Sequence, residues 1–257
     1  MRSVNLVTHA DPKSPVAEAY RILRTNIEFS STDRKIKVIL VTSSGPAEGK
    51  STTAANTAIA MADANRRVLL IDCDLRKPAI HRMFGLVNIK GLTNILVEGI
   101  EYSDITNVTE VENLEIITSG PKPPNPAELL GSRRMKEFLD RVREDYDVVI
   151  IDAPPVLPVT DAAVLSQYVD GVILVAGYGV TTFEAAAQAK ASLQKVNARI
   201  LGVVLNGAPV DRGGGYYYYY YYYYDEQGRK KKRRSSAVQQ SVSVDGIPSF
   251  KSEGIDL

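Results

Sequence analysis

The 257-residue sequence predicts an α/β fold in which helices cover both faces of a mostly parallel sheet. Six short apolar runs alternate with helical patterns, and each run is closed by Gly, Ser, Asp or Pro. The runs are continuous rather than alternating in polarity, which indicates strands that are covered on both faces. Strands that alternate with helices indicate βαβ crossovers and therefore parallel pairing.

The elements follow in chain order. A first helix is predicted at about 16–29, with Tyr20, Leu23 and Ile27 as its apolar stripe. The six predicted strands are IKVILVTSS, RRVLLIDCD, NLEIITSG, YDVVIIDAP, GVILVAG and RILGVVLNG. Four further helical patterns lie between them, at 50–65, about 132–145, 160–168 and 182–196. These patterns supply the crossover helices that a parallel sheet needs.

The composition changes sharply after Asn206. A GGG turn, nine consecutive tyrosines, a DEQG segment and six consecutive basic residues follow it. We therefore predict a folded domain over 1–208 and a flexible tail over 209–257. The tail contains the tyrosine cluster at 216–224 and the basic run at 229–234.

Charge and cysteine content exclude several classes of protein. Lys and Arg number 31 and Asp and Glu 30, so no overall field attracts nucleic acid or an anionic membrane. A single cysteine, Cys73, and two histidines argue against a disulfide framework or a zinc site, and a reducing, cytoplasmic setting is expected. The N-terminus lacks an apolar signal region and no run reaches the roughly 18 apolar residues of a membrane span. We expect a soluble chain that meets a membrane only through a partner.

A phosphate-binding loop is predicted directly after the first strand. The segment GPAEGKST places Gly-Lys-Ser at the start of a helix, where free backbone N–H groups and the helix dipole favour phosphate. Lys50 would meet the β- and γ-phosphates, and the Ser51 hydroxyl would meet Mg²⁺. The usual first glycine is replaced by Ser44, and an ordinary helix-capping turn is the alternative. The predicted nucleotide-binding residues of the loop are Gly45, Pro46, Ala47, Glu48, Gly49, Lys50, Ser51 and Thr52.

Acidic residues close two further strands. Asp72 and Asp74 lie two positions apart, so in an extended chain they point to one side while Cys73 points into the core. Asp152 ends another strand. The carboxyl ends of parallel strands form the ligand-binding edge of such a sheet, so we expect the three carboxylates to meet the loop there. Single acids at strand ends are more often helix caps, but three together with this loop favour catalysis.

This set of residues fits phosphoryl transfer. Mg²⁺ and Lys50 would neutralise the charge of the transferred group, with Ser51, Asp72 and Asp152 as candidate metal ligands. With water as acceptor the chain would be an ATPase, whereas a tyrosine acceptor needs a carboxylate to take the phenolic proton, and Asp72 or Asp74 is available for that role. Arg76 would stabilise transition-state charge, or it would form a structural ion pair. Asp161 is predicted first to cap the helix at 160–168 and second to be a site residue.

The segments GPAEGKST, LLIDCDLR and VVIIDAPP resemble, in order and spacing, the Walker A, A′ and B motifs of the bacterial tyrosine kinases of capsule and exopolysaccharide synthesis. The resemblance implies a P-loop NTPase fold of the ParA/MinD type, and ATP and Mg²⁺ as cofactors, with Asn206 at the adenine. It also implies the Gram-positive arrangement, in which a cytoplasmic kinase lies at the inner face of the membrane through a separate transmembrane activator. A cognate phosphatase and sugar-nucleotide enzymes would be further partners.

The resemblance also assigns roles to the two ends of the chain. Glu18, Arg21 and Arg24 match an E-x-x-R-x-x-R segment that makes subunit contacts in a ring, although a surface ion pair is the simpler interpretation. The basic run would neutralise phosphotyrosines or contact anionic lipid. The tyrosines would be phosphoacceptors rather than an adhesive tract, each tail entering a neighbour's active site; they are Tyr216, Tyr217, Tyr218, Tyr219, Tyr220, Tyr221, Tyr222, Tyr223 and Tyr224.

Two other functions are compatible with these motifs. A ParA/MinD-like ATPase switch would carry a signature lysine where this chain has Gly45, and it would carry an amphipathic terminal helix, which we do not find. A nucleotide-gated scaffold would have its tyrosines modified by another enzyme. The tyrosine cluster favours the kinase, and replacement of Lys50 separates the kinase from the scaffold.

Overall fold

The computed structural model describes residues 6–30 and 36–209. The predicted tail, with its tyrosine cluster at 216–224 and basic run at 229–234, lies outside the described residues. The boundary at 208 and the flexibility of the tail therefore stay predictions.

The described residues form a seven-stranded sheet with the strand order β3-β4-β2-β5-β1-β6-β7. Six strands run parallel, and only the edge strand β3 is antiparallel, to β4. The strands are β1 (Val38–Ser43), β2 (Val68–Asp72), β3 (Asn107–Val108), β4 (Leu114–Ile117), β5 (Val148–Asp152), β6 (Gly171–Gly177) and β7 (Ile200–Asn206). The predicted α/β class and its mostly parallel sheet are confirmed.

The described part of the chain contains nine α-helices, of which the first two precede the first strand and the others lie between strands. They are α1 (Val7–Ala10), α2 (Pro15–Phe29), α3 (Lys50–Ala62), α4 (Ile80–Met83), α5 (Leu92–Glu98), α6 (Pro126–Leu130), α7 (Arg133–Asp145), α8 (Asp161–Leu165) and α9 (Phe183–Lys195). The helix predicted at 50–65 ends earlier, at Ala62, and the pattern at 160–168 divides into α8 and a 3₁₀ turn over Ser166–Tyr168. Short helices α1, α4, α5 and α6 were not predicted, and neither was β3.

Separate apolar cores lie on the two faces of the sheet. On one face α7, α8 and α9 contribute side chains such as Phe138, Leu165 and Leu193, and Cys73 is buried among them as predicted. On the other face α3 presents alanines, including Ala54 and Ala58, to the strands. Small side chains let α3 lie close to the sheet, and nearly all of its residues are buried. The helix that follows the phosphate loop is therefore held firmly from its first turn.

Helices α1 and α2 pack on α3. Tyr20 and Ile27 of the predicted stripe are buried. The Arg24 guanidinium donates to the Ala60 carbonyl of α3 at 3.0 Å, while Glu18 and Arg21 pair with each other one turn apart. Two of the three predicted ring-contact residues therefore show the simpler ion pair, and the third binds within its own chain. Their subunit contact stays a prediction.

Asp170 joins the amino-terminal ends of two strands to α7. One carboxylate oxygen accepts the N–H groups of Lys37 and Val38, both at 2.8 Å, and Arg143 pairs with the other oxygen at 2.7 Å. Burial alone would raise the pKa of Asp170, but the Arg143 hydrogen bond and the two amides outweigh it and lower the pKa. The ionised carboxylate thus stabilises the folded chain.

We expect Asp170→Asn to destabilise the chain by about 2 kcal/mol at pH 7. The reason is that asparagine offers one neutral oxygen as acceptor, whereas the ionised carboxylate accepts hydrogen bonds from two backbone N–H groups and from Arg143. A lowered folded pKa means that the stabilisation is present above the unfolded pKa of about 4 and is lost as pH falls through the folded pKa. Urea unfolding at pH 7 and pH 3 tests this, with the exposed Asp140→Asn as control. An equal difference from wild type at both pH values would contradict it.

Candidate active site

The phosphate loop, residues 44–49, joins β1 to α3 and is closed against β7. Gly49 has a φ of +92°, and a Cβ built on it would lie 1.9 Å from Nδ2 of Asn206. That Nδ2 donates to the Glu48 carbonyl at 3.1 Å. Position 49 therefore needs glycine both for its backbone conformation and for this close approach. Asn206 lies against the loop, and its predicted contact with adenine stays a prediction.

A second contact joins the two ends of the phosphate loop to each other. Glu48 is buried, and its carboxylate accepts hydrogen bonds from both the backbone N–H and the hydroxyl of Ser44. Ser44 stands at the position where the usual pattern has glycine, so the departure from the pattern supplies an additional donor. Sequence reasoning missed this pair, although the spacing of four residues between Ser44 and Glu48 is visible in the motif.

Lys50 lies at the centre of the site. Its Nζ is 2.9 Å from Oδ2 of Asp74 and 3.2 Å from Oδ1 of Asp152, and it donates to the Ser51 hydroxyl at 3.1 Å. Burial alone would lower the pKa of Lys50, but the charges of Asp152 and Asp74 outweigh it and raise the pKa. The lysine is therefore a fully charged counterion to two buried carboxylates at the start of α3.

Asp72 lies opposite Asp152 on the adjacent strand. Its oxygens accept backbone N–H groups from Asp74 at 3.2 Å, Ala79 at 3.0 Å and Ile80 at 3.1 Å. Burial, reinforced by the charge of Asp152, raises the pKa of Asp72 to about 7. The structure thus brings the three predicted acids together, and it shows Asp72 shaping the turn that follows β2.

Asp152 retains one oxygen without a hydrogen-bond partner. The residue is fully buried, Oδ1 contacts Lys50, and Oδ2 is unpaired. Burial raises the pKa of Asp152, although Lys50 opposes this effect. An unpaired carboxylate oxygen suits Mg²⁺, which takes one or two protein oxygens together with phosphate and water, and the Ser51 side chain lies beside the same carboxylate. Within residues 6–30 and 36–209 no three His, Cys, Asp or Glu side chains form a preformed metal cage, so phosphate and water would complete the coordination.

Arg76 is held by a buried carboxylate. Its Nε and Nη2 each donate to Asp161 at 2.9 Å, and Asp161 is fully buried. This bidentate hydrogen bonding raises the pKa of Arg76. The prediction that Asp161 caps a helix is wrong: α8 begins at Asp161, and the carboxylate binds Arg76 instead. The geometry is that of the structural ion pair, and a catalytic role of Arg76 stays a prediction.

Fold and site together define a P-loop nucleotide-binding protein. Residues 36–201 match the family model described as an AAA domain. The fold is shared with the septum site-determining protein MinD of Pyrococcus horikoshii in complex with Mg-ADP, at a TM-score of 0.58 and 24% identity over 68% of this chain and 72% of that one. ATP is the nucleotide that this fold and family imply.

The comparisons then identify the family. The tyrosine-protein kinase YwqD of Bacillus subtilis is 45% identical over 81% of this chain and 88% of that protein. The putative tyrosine-protein kinase CapB of Staphylococcus aureus is 41% identical over 80% and 91%. The chimerical protein CapA2B2 superposes with a TM-score of 0.77 at 40% identity, over 81% of this chain and 92% of that one. The chain belongs to the bacterial tyrosine kinases of the Gram-positive type and is a tyrosine-protein kinase.

A Gram-negative relative is similar over a shorter part of its own length. The tyrosine-protein kinase wzc of Salmonella typhimurium is 35% identical over 78% of this chain and 28% of that protein. The kinase domain of Escherichia coli ETK superposes with a TM-score of 0.79 at 31% identity, over 84% and 85% of the two chains. Across 6–30 and 36–209, none of the helices has the length and apolar character needed to cross a membrane.

Proposed function

We propose that the kinase uses ATP and Mg²⁺ to phosphorylate the tyrosines at 216–224 of other copies of the same chain. Through this reaction it regulates the synthesis and export of capsular or extracellular polysaccharide. The observation that carries the proposal is the position of Lys50, whose ammonium is shared by Asp74 and Asp152 at the end of the phosphate loop. The names of the relatives, which include kinases of capsule loci, support the biological setting.

The residues of the site divide the work of phosphoryl transfer. The loop N–H groups bind the phosphates of ATP, and Lys50 leaves Asp74 to contact them. Oδ2 of Asp74 then loses its partner and takes the proton of the acceptor phenol. Asp72 is already bonded to three backbone N–H groups, so its role is to hold the turn that presents Asp74.

Magnesium completes this arrangement. Mg²⁺ supplies neutralisation of the charge on the transferring phosphoryl group. Ser51 and Asp152 would hold it, because Oδ2 of Asp152 is the one fully buried carboxylate oxygen of the described residues without a hydrogen-bond partner. Asp72, the third predicted ligand, would not contact the metal; it would hold the turn after β2 through its backbone hydrogen bonds.

The partners follow from the proposed activity. Copies of the chain would assemble into a ring through Glu18, Arg21 and Arg24, with the tail of one copy in the site of the next. A separate transmembrane activator would hold the cytoplasmic kinase at the inner face of the membrane. A tyrosine phosphatase would remove the phosphates from the tail, and sugar-nucleotide enzymes would be further substrates. Nucleic acid would not be a partner. The similarity to the chimerical protein CapA2B2 supports the two-chain arrangement.

Phosphosite mapping tests the proposal. We expect purified protein incubated with ATP and Mg²⁺, with a fused activator segment if the chain alone is silent, to gain phosphate on tyrosines 216–224, measured by mass spectrometry. A variant with all nine tyrosines replaced by phenylalanine is the control and should gain none there. ADP formation without phosphotyrosine, even with the activator segment, would favour the ParA/MinD-like switch.

A further inference from the structure

An open groove of about 420 Å³ lies beside the phosphate loop. One wall is formed by the loop itself, from Ser44 to Glu48, and the other walls come from the segment after β5 and from the start of α9. Its exposed lining surface is mainly apolar and comes from Pro46, Leu157, Pro158, Val180 and Ala185, while Ser44, Glu48, Thr181 and Thr182 complete the walls. Lys50 and the three acids do not line it. The groove is therefore a separate feature that shares a wall with the nucleotide site.

The segment 178–183, here called the rim because its residues 180–182 line the groove, exposes large apolar side chains. Tyr178, Val180 and Phe183 are 54%, 61% and 83% exposed. The rim backbone is nevertheless fixed, because the Val180 N–H donates to the Gly177 carbonyl at 3.1 Å and the Gly177 N–H donates to the Thr181 hydroxyl at 2.8 Å. A cluster of exposed apolar side chains on a firm backbone is typical of a protein-binding surface.

We propose that this groove binds a tyrosine ring of a second copy's 216–224 tract while a neighbouring tyrosine of that tract is phosphorylated. The inference rests on the proposed function and adds a substrate-anchoring subsite to it. A tyrosine offers an apolar ring with a polar tip, which suits an apolar groove that opens to water. Val180 and Leu157 are then specificity-determining residues rather than catalytic ones.

The tract itself favours this occupant. In an extended peptide, side chains two positions apart project from the same side about 7 Å apart. Under this proposal one tyrosine of such a row lies at the acids and another of the same row lies in the groove. Because the nine tyrosines are uninterrupted, each possible acceptor has such a neighbour. The tract begins seven residues after residue 209, and a fully extended segment of that length spans up to about 25 Å toward another copy.

A mixing experiment restricts the reaction to transfer between copies. The enzyme copy is the full chain with tyrosines 216–224 replaced by serine, and the substrate copy is the full chain with Lys50→Met. We expect Val180→Asp in the enzyme copy to raise the KM for the substrate copy at least about tenfold, while the Kd for Mg·ATP stays unchanged. The same substitution in the substrate copy, and Val108→Asp on the far edge strand, should change neither value. Val180→Ile, which keeps an apolar side chain, should leave the KM at the value of the enzyme copy with Val180.

Substrate copies with a single tyrosine provide the second measurement. We expect Lys50→Met copies that keep Tyr220 among eight phenylalanines to be phosphorylated faster than copies that keep it among eight serines, because phenylalanine fills the groove without accepting phosphate. Val180→Asp in the enzyme copy should remove this difference. Equal rates for the two substrates, or an unchanged KM for Val180→Asp, would overturn the anchoring role. Failure of the proposed function would give a different result: no phosphotyrosine would form even with the enzyme copy that keeps Val180.

Discussion

Lys50→Met is expected to reduce tyrosine phosphorylation at least about a hundredfold, because it removes the cation at the start of α3 that would contact the phosphates of ATP. The loss should appear in kcat, measured as the initial rate of phosphotyrosine formation at saturating ATP. Methionine matches the length of the lysine stem, so the hydrophobic contacts of the side chain are largely kept. A variant that retained a tenth of the wild-type rate would contradict this role.

The same substitution has a second consequence that the experiment must separate from catalysis. Without Lys50 the buried carboxylates of Asp74 and Asp152 lose their counterion, and the pKa of Asp152 rises because the lowering effect of Lys50 is gone. The nucleotide-free protein is therefore less stable at alkaline pH. Thermal unfolding at pH 6 and pH 8 measures this effect. Lys50→Arg is the matched control, because it keeps the positive charge but not the compact ammonium that a phosphate loop accommodates.

Asp152→Asn is expected to lower phosphorylation about a hundredfold and to raise the Mg²⁺ concentration needed for half-maximal activity. The reason is the buried Oδ2 without a partner, which is neutralised or replaced by a nitrogen in asparagine. The measurement is a Mg²⁺ titration of the initial rate at saturating ATP.

Asp72→Asn is the matched comparison for that titration. The oxygens of Asp72 accept hydrogen bonds from three backbone N–H groups. Its replacement should therefore lower the midpoint temperature of thermal unfolding and change the Mg²⁺ concentration for half-maximal activity little. If Asp72→Asn raised the Mg²⁺ requirement as much as Asp152→Asn, both acids would be metal ligands, as the sequence alone suggests. An unchanged Mg²⁺ requirement in Asp152→Asn would contradict the assignment of Oδ2.

The sequence predicts well those features that depend on periodicity and on local spacing. Buried parallel strands are continuous apolar runs, so β1, β2 and β4 to β7 can be found from the pattern of apolar residues along the sequence. The acids end two of these strands, and parallel strands end at one edge, so the meeting of Asp74 and Asp152 around Lys50 follows from topology. This logic needs no knowledge of side-chain packing.

Features that depend on packing between distant segments were missed. The antiparallel strand β3 has two residues and no periodic signal, and α4 and α6 are too short to show one. Asp161 has the sequence context of a helix cap, but Arg76, 85 positions earlier, takes its carboxylate. The contact of Asn206 with Gly49 likewise joins β7 to the loop. No local pattern reports such pairs, because each is decided by the tertiary fold.

The most direct test of the central claim is to measure ADP and phosphotyrosine in the same reaction of full-length protein with Mg·ATP and the activator segment. A phosphoryl-transfer site built on Lys50, Asp74 and Asp152 for a tyrosine acceptor predicts about one phosphotyrosine for each ADP until the tract is filled, and neither product with Lys50→Met. ADP that accumulates steadily with no matching phosphotyrosine would show that water is the acceptor, and it would contradict the assignment of Asp74 as the base for a phenol.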